Sequence, residues 1–253
     1  MPKDLKDKVA FVTGGSGGIG GTIACALAAA GADVAISYGG RADSAQATVD
    51  AMQTMGRRGL SVQLDQRDAT SIDAAVASVA RHFGRLDILV NNAAWNIGIR
   101  FPDLEALSAE IWDRVQETNL RGPYLLARGC APHLRAHKAG RIVNIASVAG
   151  RFPTGSSIAY AVSKAGLIHL THCLAVAMAP DIAVNCIAPG LVEGTQMAQR
   201  LPEEMAQRAR RQAVLGRTAS AQDIAAQTVL FCQADSISGQ VIAIDGGMPG
   251  SMH

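Results

Sequence analysis

Residues 9–20 read VAFVTGGSGGIG, and this stretch decides the fold that the sequence predicts. A short apolar run leads into a glycine-rich turn, and an alanine-rich segment of helical pattern follows, up to Gly31. Glycines let the backbone approach a phosphate without a Cβ in the way, and a helix N-terminus offers N–H groups and a positive dipole potential. The stretch therefore predicts a strand, a turn and a helix that bind the pyrophosphate of a dinucleotide.

The same alternation continues to the end of the chain. Short apolar runs predict seven strands, at residues 9–13, 34–37, 60–64, 88–90, 141–146, 182–187 and 241–244. Segments of helical pattern lie between them, at residues 19–30, up to 55, 72–83, 108–137, 158–179 and 221–232. Strands that alternate with helices build βαβ units. We therefore expect an α/β fold over residues 1–253, a single doubly wound Rossmann domain with a seven-stranded parallel sheet flanked by helices on both faces.

The composition excludes several classes of protein. Hydrophobic residues make up 49% of the 253 residues and charged residues 17%, which excludes a disordered chain. The net charge of +2 comes without a long basic block, so no nucleic-acid partner is expected. The five cysteines are scattered with no C-x-x-C pair, which predicts free thiols. Because no leader-like segment and no apolar run of about 18 residues is present, we expect a cytoplasmic protein with no membrane partner.

The glycine-rich turn has two competing interpretations. Residues 14–18 match G-x-S-x-G, the nucleophile elbow of α/β-hydrolases, with Ser16 as the nucleophile. Such an enzyme needs an acid and a histidine at later strand ends, whereas the histidines after Ser16 lie mostly in predicted helices. The hydrolase is therefore a distant alternative. A P-loop NTPase is excluded because no Gly-Lys-Ser/Thr follows the turn.

The end of the second predicted strand bears on the choice between NAD and NADP. An acidic residue there usually binds the ribose 2′-hydroxyl of NAD. Here the strand ends in Ser37-Tyr38-Gly39-Gly40-Arg41, and Asp33 lies at its opposite end. A 2′-phosphate would meet Ser37, Tyr38 and Arg41 without a carboxylate to repel it, although a solvated loop arginine is an equal interpretation of Arg41. We expect NADP in preference to NAD.

Tyr160 and Lys164 carry the chemistry that the sequence predicts. They lie four residues apart on one face of a predicted helix, and Ser147 ends a predicted strand 13 residues before Tyr160. A phenol has an ordinary pKa of about 10, and a neighbouring ammonium moves it toward the range useful for acid–base catalysis. Ser147 would hydrogen-bond the same substrate oxygen as Tyr160.

Together these motifs resemble the short-chain dehydrogenase/reductase family over essentially the whole chain. The glycine-rich turn, Asn-Asn-Ala-Ala at residues 91–94, Asn119, Ser147, Tyr160, Lys164 and Pro189-Gly190 stand in the family's order and spacing. The resemblance implies a catalytic tetrad of Asn119, Ser147, Tyr160 and Lys164. Tyr160 would transfer the proton, Lys164 would hold the nicotinamide ribose, and Asn119 would anchor a relay water. A polar residue that satisfies backbone inside a long helix is the plainer interpretation of Asn119.

The resemblance also implies a complete cofactor site. Asp65 would meet the adenine, Asn91 would support the ribose and the central strand, and the backbone after the sixth strand, with the Thr195 hydroxyl, would hold the nicotinamide end. The implied cofactor contacts are Gly14, Ser16, Gly17, Gly18, Ile19, Gly20, Ser37, Tyr38, Arg41, Asp65, Gln66, Asn91, Ala93, Tyr160, Lys164, Pro189, Gly190, Val192 and Thr195. Two positions depart from the family pattern: Gly17 stands where many NADP-dependent relatives carry a basic residue, and Ala94 where glycine is common.

The activity implied by the resemblance is hydride transfer between a nicotinamide and a carbonyl or secondary alcohol. The chain is most similar to the branch with 3-oxoacyl-acyl-carrier-protein reductases and glucose dehydrogenase-like enzymes, which favours an NADPH-dependent ketone reductase. An NAD-dependent secondary alcohol or sugar dehydrogenase stays open. A non-catalytic dinucleotide sensor is more distant, because such relatives usually lack the tyrosine or the lysine.

Three segments would shape the substrate site, residues 95–98, 148–158 and 191–211. The last is expected to be a helical lid with Met197 and Met205 as apolar contacts. Relatives of this size are usually homotetramers, and the helix with His169 and His172, together with residues 239–252, is a candidate interface. No third ligand accompanies this histidine pair, so no metal is expected.

Overall fold

The centre of the structure, a computed structural model that describes residues 4–195 and 203–251, is one sheet. Its seven strands lie in the order β3-β2-β1-β4-β5-β6-β7, and every neighbouring pair is parallel. In chain order the strands are β1 Val9–Val12, β2 Asp33–Tyr38, β3 Gly59–Gln63, β4 Ile88–Asn91, β5 Gly140–Ile145, β6 Ile182–Pro189 and β7 Val241–Ile244. The predicted seven-stranded parallel sheet is confirmed.

Helices connect the strands and cover both faces of the sheet. The described residues contain α1 Gly18–Ala29, α2 Ala42–Thr54, α3 Ala69–Phe83, α4 Ala109–Gln116, α5 Gly122–Arg135, α6 Ile158–Ala177, α7 Glu203–Gln212 and α8 Ala221–Gln233. Side chains of Asp68, Ser108, Ser157 and Ser220 cap the N-termini of four of them, because each accepts a hydrogen bond from a first-turn N–H. None of the described helices is long and apolar enough to cross a membrane.

The core lies on both sides of the sheet. On one face α1, α2 and α8 pack around the fully buried Ile23 and Phe231, and on the other α3 and α5 pack around Phe11 and Leu126. A sheet covered on both faces needs apolar side chains in both directions, so its central strands are rich in apolar residues. This is why β1 and residues 88–90 of β4, which are buried, were visible in the sequence as uninterrupted apolar segments.

The long helix predicted over residues 108–137 is broken by one wide turn. Between α4 and α5 the chain forms a π-turn at Glu117–Arg121, where the N–H of Gly122 donates to the carbonyl of Glu117, five residues back. Pro123 has no N–H, so the regular helical ladder cannot run through this point. The turn carries Asn119, which is fully buried.

The sheet order also locates the binding crevice. The chain moves outward from β1 to β3 and then returns to β4 on the other side of β1. Ligands of open parallel sheets bind at such a reversal, beside the carboxyl ends of the strands. The loops after β1 and β4 meet at this crevice.

Candidate active and cofactor site

The turn between β1 and α1 forms an open cradle. Gly14, Gly17 and Gly18 have φ angles of 68°, 123° and 56°, a region that favours glycine. A Cβ built on Gly17 or Gly18 would meet nothing within 4 Å, so both face open space. Helix α1 begins at Gly18 without a side-chain cap, which leaves its first-turn N–H groups available to an anion. Ser16 is buried and Ile19 half-buried in the same turn. These residues fit the pyrophosphate of a dinucleotide.

The cradle is braced against the loop after β4. A Cβ on Gly20 would lie 2.3 Å from the Gly14 oxygen and 2.5 Å from Asn92 Nδ2, so only glycine permits this approach. Asn92 Nδ2 donates to the carbonyl of Thr13 at 2.9 Å, and Thr13 Oγ1 accepts from the N–H groups of Asn92 and Ala93, each at 3.0 Å. The sequence did not predict this role for Thr13, and its one signal there is a hydroxyl at a strand end.

The end of β2 lies beside the cradle. Ser37 Oγ accepts from the N–H of Gly14 at 3.1 Å, so its side chain braces the glycine-rich turn. Tyr38 is half-buried, and Arg41 is exposed immediately before α2. The strand therefore ends in a hydroxyl, a phenol and a guanidinium.

Carboxylates near β2 lie elsewhere. Asp33, the first residue of β2, accepts from Arg58 Nε at 2.7 Å and lies at the opposite end of the strand from the cradle. The next carboxylate along the chain is Asp43, in the first turn of α2. The position that binds the ribose 2′-hydroxyl in NAD sites thus carries no acidic residue.

Asp65 and Gln66 follow β3 and turn to different partners. The Asp65 carboxylate accepts from Arg67 Nη2 at 2.7 Å, and this hydrogen bond lowers the pKa of Asp65. An adenine at this position would share the carboxylate with Arg67. Gln66 Nε2 instead donates to the carbonyls of Ala93 and Thr118, at 2.9 and 2.6 Å.

Ser147, Tyr160 and Lys164 come together at the carboxyl ends of β5 and β6. The cap residue Ser157 accepts from the N–H of Tyr160 at 3.1 Å and so holds this tyrosine in the first turn of α6. Tyr160 is 7% exposed and Lys164 3%. Ser147 Oγ donates to the carbonyl of Pro189 at 3.4 Å. The serine hydroxyl also lies close enough to the Tyr160 phenol to lower its pKa.

Burial governs the titration of this pair. It lowers the pKa of Lys164 to about 8, and it raises the pKa of Tyr160, an effect that the Ser147 hydroxyl partly offsets. The sequence predicted that Lys164 lowers the pKa of the Tyr160 phenol, whereas in the structure this pKa is raised. The reason is that burial has removed the water around both side chains, which disfavours the phenolate as well as the ammonium.

Asn119 links the π-turn to α6. Its Nδ2 donates to the Trp95 carbonyl at 2.9 Å and to Ser163 Oγ at 3.1 Å, and its Oδ1 accepts from the Trp95 N–H at 2.8 Å. Ser163 Oγ in turn donates to the carbonyl of Tyr160 at 2.7 Å. The side chain thus satisfies backbone groups, as the plainer interpretation predicted. The Asn119 carbonyl lacks its α-helical donor, because the residue four positions on is Pro123.

Asn91 is built into the sheet. It is 2% exposed, and its Nδ2 donates to Asn144 Oδ1 at 2.9 Å, while Asn144 Nδ2 donates to Thr171 Oγ1 at 2.9 Å. This buried chain joins β4, β5 and α6. Asn91 therefore makes the predicted contact with the central strands. Its side chain is buried, whereas the predicted ribose contact would need it to face the crevice.

The loop after β6 lies close to β7. A Cβ on Gly190 would stand 2.6 Å from the Cβ of Asp245, so glycine permits the two chains to approach. Val192 forms a bridge with Ala219, and Thr195 Oγ1 donates to the carbonyl of Val192 at 2.8 Å. This loop borders the same crevice as Ser147.

Helix α7 lies in the predicted lid segment, and polar contacts of its exposed side chains attach it to the rest of the chain. It has no buried residue, and Met205 is 54% exposed. Arg210 Nε donates to Glu193 Oε1 at 2.7 Å, and Arg210 Nη2 donates to Glu193 Oε2. Thr218 Oγ1 also donates to Glu193 Oε1, at 2.7 Å. The bond from Arg210 lowers the pKa of Glu193 to about 2. Met197 lies outside the described residues.

Two alternatives from the sequence remain, a hydrolase with Ser16 as the nucleophile and a metal site at the histidine pair of α6. Ser16 is 5% exposed, which leaves a nucleophile little access to a substrate. His169 and His172 are exposed, with ring centroids 6.2 Å apart. In the part of the chain that the structure describes, no group of three His, Cys, Asp or Glu side chains could hold a metal ion.

A doubly wound sheet with a glycine cradle, and with tyrosine, serine and lysine side chains at its strand ends, defines a class of nicotinamide-dependent oxidoreductases. The chain belongs to the short chain dehydrogenase family, whose family model matches residues 8–206. It is accordingly an oxidoreductase that acts on CH–OH or C=O groups with NAD(P).

Three individual proteins illustrate what this chain is similar to. The 3-oxoacyl-acyl-carrier-protein reductase FabG of Staphylococcus aureus is 36% identical over 248 residues, which cover 95% of this chain and 98% of the relative. A short chain dehydrogenase from Burkholderia cenocepacia, solved in complex with NADP, is 37% identical, with a TM-score of 0.88 over 98% of this chain and 100% of that one. Carveol dehydrogenase from Mycobacterium avium, solved with NAD, is 26% identical, with a TM-score of 0.90 over 97% and 99%. Both cofactors thus occur among similar structures.

Proposed function

We propose that this chain is an NADPH-dependent ketone reductase with a substrate of the 3-oxoacyl type, in which Tyr160 donates the proton. One observation carries the proposal: Tyr160 and Lys164 share a buried face of α6, with Lys164 Nζ 5.7 Å from the Tyr160 ring centroid and Ser147 close enough to lower the pKa of the phenol. The likeness to a 3-oxoacyl-acyl-carrier-protein reductase supports the substrate class.

The side chains divide the chemistry among them. When bound, NADPH would supply the hydride that the carbonyl carbon of the substrate accepts. Tyr160 donates its phenolic proton to the carbonyl oxygen, and Ser147 hydrogen-bonds the same oxygen and fixes its position. The resulting phenolate is stabilised by the ammonium of Lys164, which lies 5.7 Å from the Tyr160 ring centroid. In this buried site the attraction between the two charges is stronger than it would be in water.

The proton that Tyr160 gives up returns through the interior of the chain. Lys164 Nζ uses one of its three donors on the Ile145 carbonyl, so two are left for the nicotinamide ribose and a water. The Asn119 carbonyl, which has no α-helical donor, accepts a hydrogen bond from that relay water. These positions support the tetrad of Asn119, Ser147, Tyr160 and Lys164.

The cofactor is held along the strand ends. The N–H groups of the cradle and of α1 bind the pyrophosphate, and the loop from Gly190 to Thr195 binds the nicotinamide end. Arg41, with Ser37 and Tyr38, binds the 2′-phosphate. The absence of an acid at the end of β2 and the NADP-bound relative support this preference.

Substrate enclosure and assembly belong to the same proposal. Residues 191–211 act as a lid of the single domain 1–253, and α7 and the ion pair of Arg210 with Glu193 support this role. Exposed apolar side chains on α6 and β7, Val176 at 82% and Ile242 at 36%, support a homotetramer. Five free thiols support a cytoplasmic location.

An NAD-dependent secondary alcohol or sugar dehydrogenase is the second candidate. Gly17 leaves the cradle without a basic side chain, and one similar structure is solved with NAD. This candidate uses the same four residues in the oxidative direction.

The testing experiment is a fluorescence titration with NADPH and, separately, NADH, followed by turnover of a short 3-oxoacyl thioester with the better-bound cofactor. We expect tighter binding of NADPH and Tyr160-dependent oxidation of it by the thioester. Tighter binding of NADH would favour the alcohol dehydrogenase, and binding without any turnover would favour a sensor. If neither cofactor binds, the proposed dinucleotide site is refuted, and hydrolase activity is the next one to test.

A further inference from the structure

Gln66 is a buried amide whose orientation is decided by its partners. It is 5% exposed, and its Nε2 lies 2.9 Å from the Ala93 oxygen and 2.6 Å from the Thr118 oxygen. Both partners are carbonyls, which only accept, so the amide nitrogen must face them and its two hydrogens are both used. The Oε1 atom is buried without a hydrogen-bond partner among the described residues.

The Thr118 carbonyl needs this donor because of the π-turn. In an α-helix it would accept from Gly122, but the N–H of Gly122 donates to Glu117. In a π-turn it would accept from Pro123, which has no N–H. A buried carbonyl without a donor is costly, so a side chain from outside the helix must supply one. Gln66 does so.

Two amides therefore connect the same two segments side by side. Gln66 joins Ala93 to Thr118, and Asn119 joins Trp95 to its own turn through two hydrogen bonds. The contact is close as well as polar, since a Cβ on Gly122 would stand 2.7 Å from the Gln66 carbonyl oxygen.

We propose that Gln66 is a positioning residue for the reaction: its amide holds the π-turn of Thr118 and Asn119 in register with the loop after β4. Asn119 then keeps its bonds to Trp95 and Ser163, and through Ser163 to the backbone of Tyr160. This inference rests on the proposed function, because it assigns Asn119 to the relay. It differs from the cofactor contact that the family resemblance implies for Gln66.

The first test needs no activity. Hydrogen–deuterium exchange of the cofactor-free protein is compared for wild type, Gln66→Met, which keeps the length of the side chain but has no N–H, and Gln46→Leu. Gln46 is an exposed glutamine on α2 whose side chain bonds Asp50 on the same helix, so its variant is the matched control. We expect faster exchange in a peptide spanning residues 117–124 for Gln66→Met alone. If that variant does not fold, Gln66→Asn serves instead, because its shorter amide reaches one carbonyl at most.

The second test separates positioning from binding. A displaced relay group costs turnover rather than affinity, so kcat of Gln66→Met should fall about 10- to 100-fold while KM and the NADPH dissociation constant change by less than about threefold. Unchanged exchange in residues 117–124, or a kcat within about twofold of wild type, would overturn the proposal. So would unchanged kcat with weakened NADPH binding, which is the signature of a cofactor contact. If wild type itself reduces no ketone with NADPH, the proposed function fails, and the exchange result alone decides the role of Gln66.

Discussion

The Nζ atom of Lys164 lies 5.7 Å from the centroid of the Tyr160 ring, one helical turn away on α6, with both side chains at least nine-tenths buried. Lys164 therefore carries its charge where water cannot solvate it. Its ammonium donates a hydrogen bond to the Ile145 carbonyl, 2.9 Å away. The site keeps a desolvated cation next to the phenol at the expense of stability, which is testable.

Replacing Lys164 by methionine should stabilise the protein near neutral pH. Burial lowers the pKa of Lys164 from 10.5 to about 8. Between these values the unfolded chain binds the extra proton, so wild-type stability rises with pH across that window. The cost of burying the charge, at most about 3 kcal/mol, is complete below pH 8 and gone above about pH 10.5.

The measurement is the free energy of unfolding of wild type and Lys164→Met from about pH 7 to 10.5. We expect the variant to be more stable by about 1–2 kcal/mol at pH 7, the lost bond to Ile145 offsetting part of the gain, and to lose this advantage as pH rises. A difference between the two proteins that does not change with pH would show that Lys164 is not buried as a cation.

Arg41 should decide affinity for the 2′-phosphate. Arg41→Ala removes an exposed guanidinium beside Ser37 and Tyr38, so NADPH binding should weaken about 10- to 100-fold while NADH binding stays the same. Arg81→Ala is the matched control, because Arg81 is an exposed arginine in the last turn of α3. Equal weakening of both cofactors, or of neither, would refute the role of Arg41 in cofactor choice.

The ion pair of Arg210 with Glu193 should hold α7 in place. Because α7 buries none of its own residues, Arg210→Ala should speed proteolytic cleavage within residues 203–212 roughly fivefold at low salt. Arg208→Ala, an exposed arginine on the same helix, should leave cleavage unchanged. The difference should largely vanish at about 1 M salt, where charges are screened. Cleavage of Arg210→Ala at the wild-type rate would mean that another contact anchors the helix.

The fold was predictable because its local signals agree with its packing. Strand β1 and residues 88–90 of β4 are buried, uninterrupted apolar runs, and the glycine-rich turn after β1 combines three positive-φ glycines with a helix start. Asp33 could be excluded from the ribose site from its place in the strand alone, and the structure pairs it with Arg58.

Contacts between distant segments were not predictable in the same way. Gln66 meets carbonyls 27 and 52 positions further along the chain, and no local pattern encodes that pairing. The π-turn did leave a sequence signal, Pro123 inside a helical pattern, but whether a proline kinks a helix or widens one turn depends on what can satisfy the freed carbonyl. The spacing of Tyr160 and Lys164 puts them on one face, whereas the depth of burial that raises one pKa and lowers the other comes only from the assembled core.

The most direct measurement is the steady-state rate of NADPH oxidation by a short 3-oxoacyl thioester for wild type, Tyr160→Phe and the control Tyr124→Phe, an exposed tyrosine on α5. Loss of the proton donor should lower kcat of Tyr160→Phe about 100- to 10,000-fold, with NADPH binding nearly unchanged, while Tyr124→Phe keeps the wild-type rate. A Tyr160→Phe enzyme with more than about a tenth of the wild-type rate would contradict the assignment of Tyr160 as the acid.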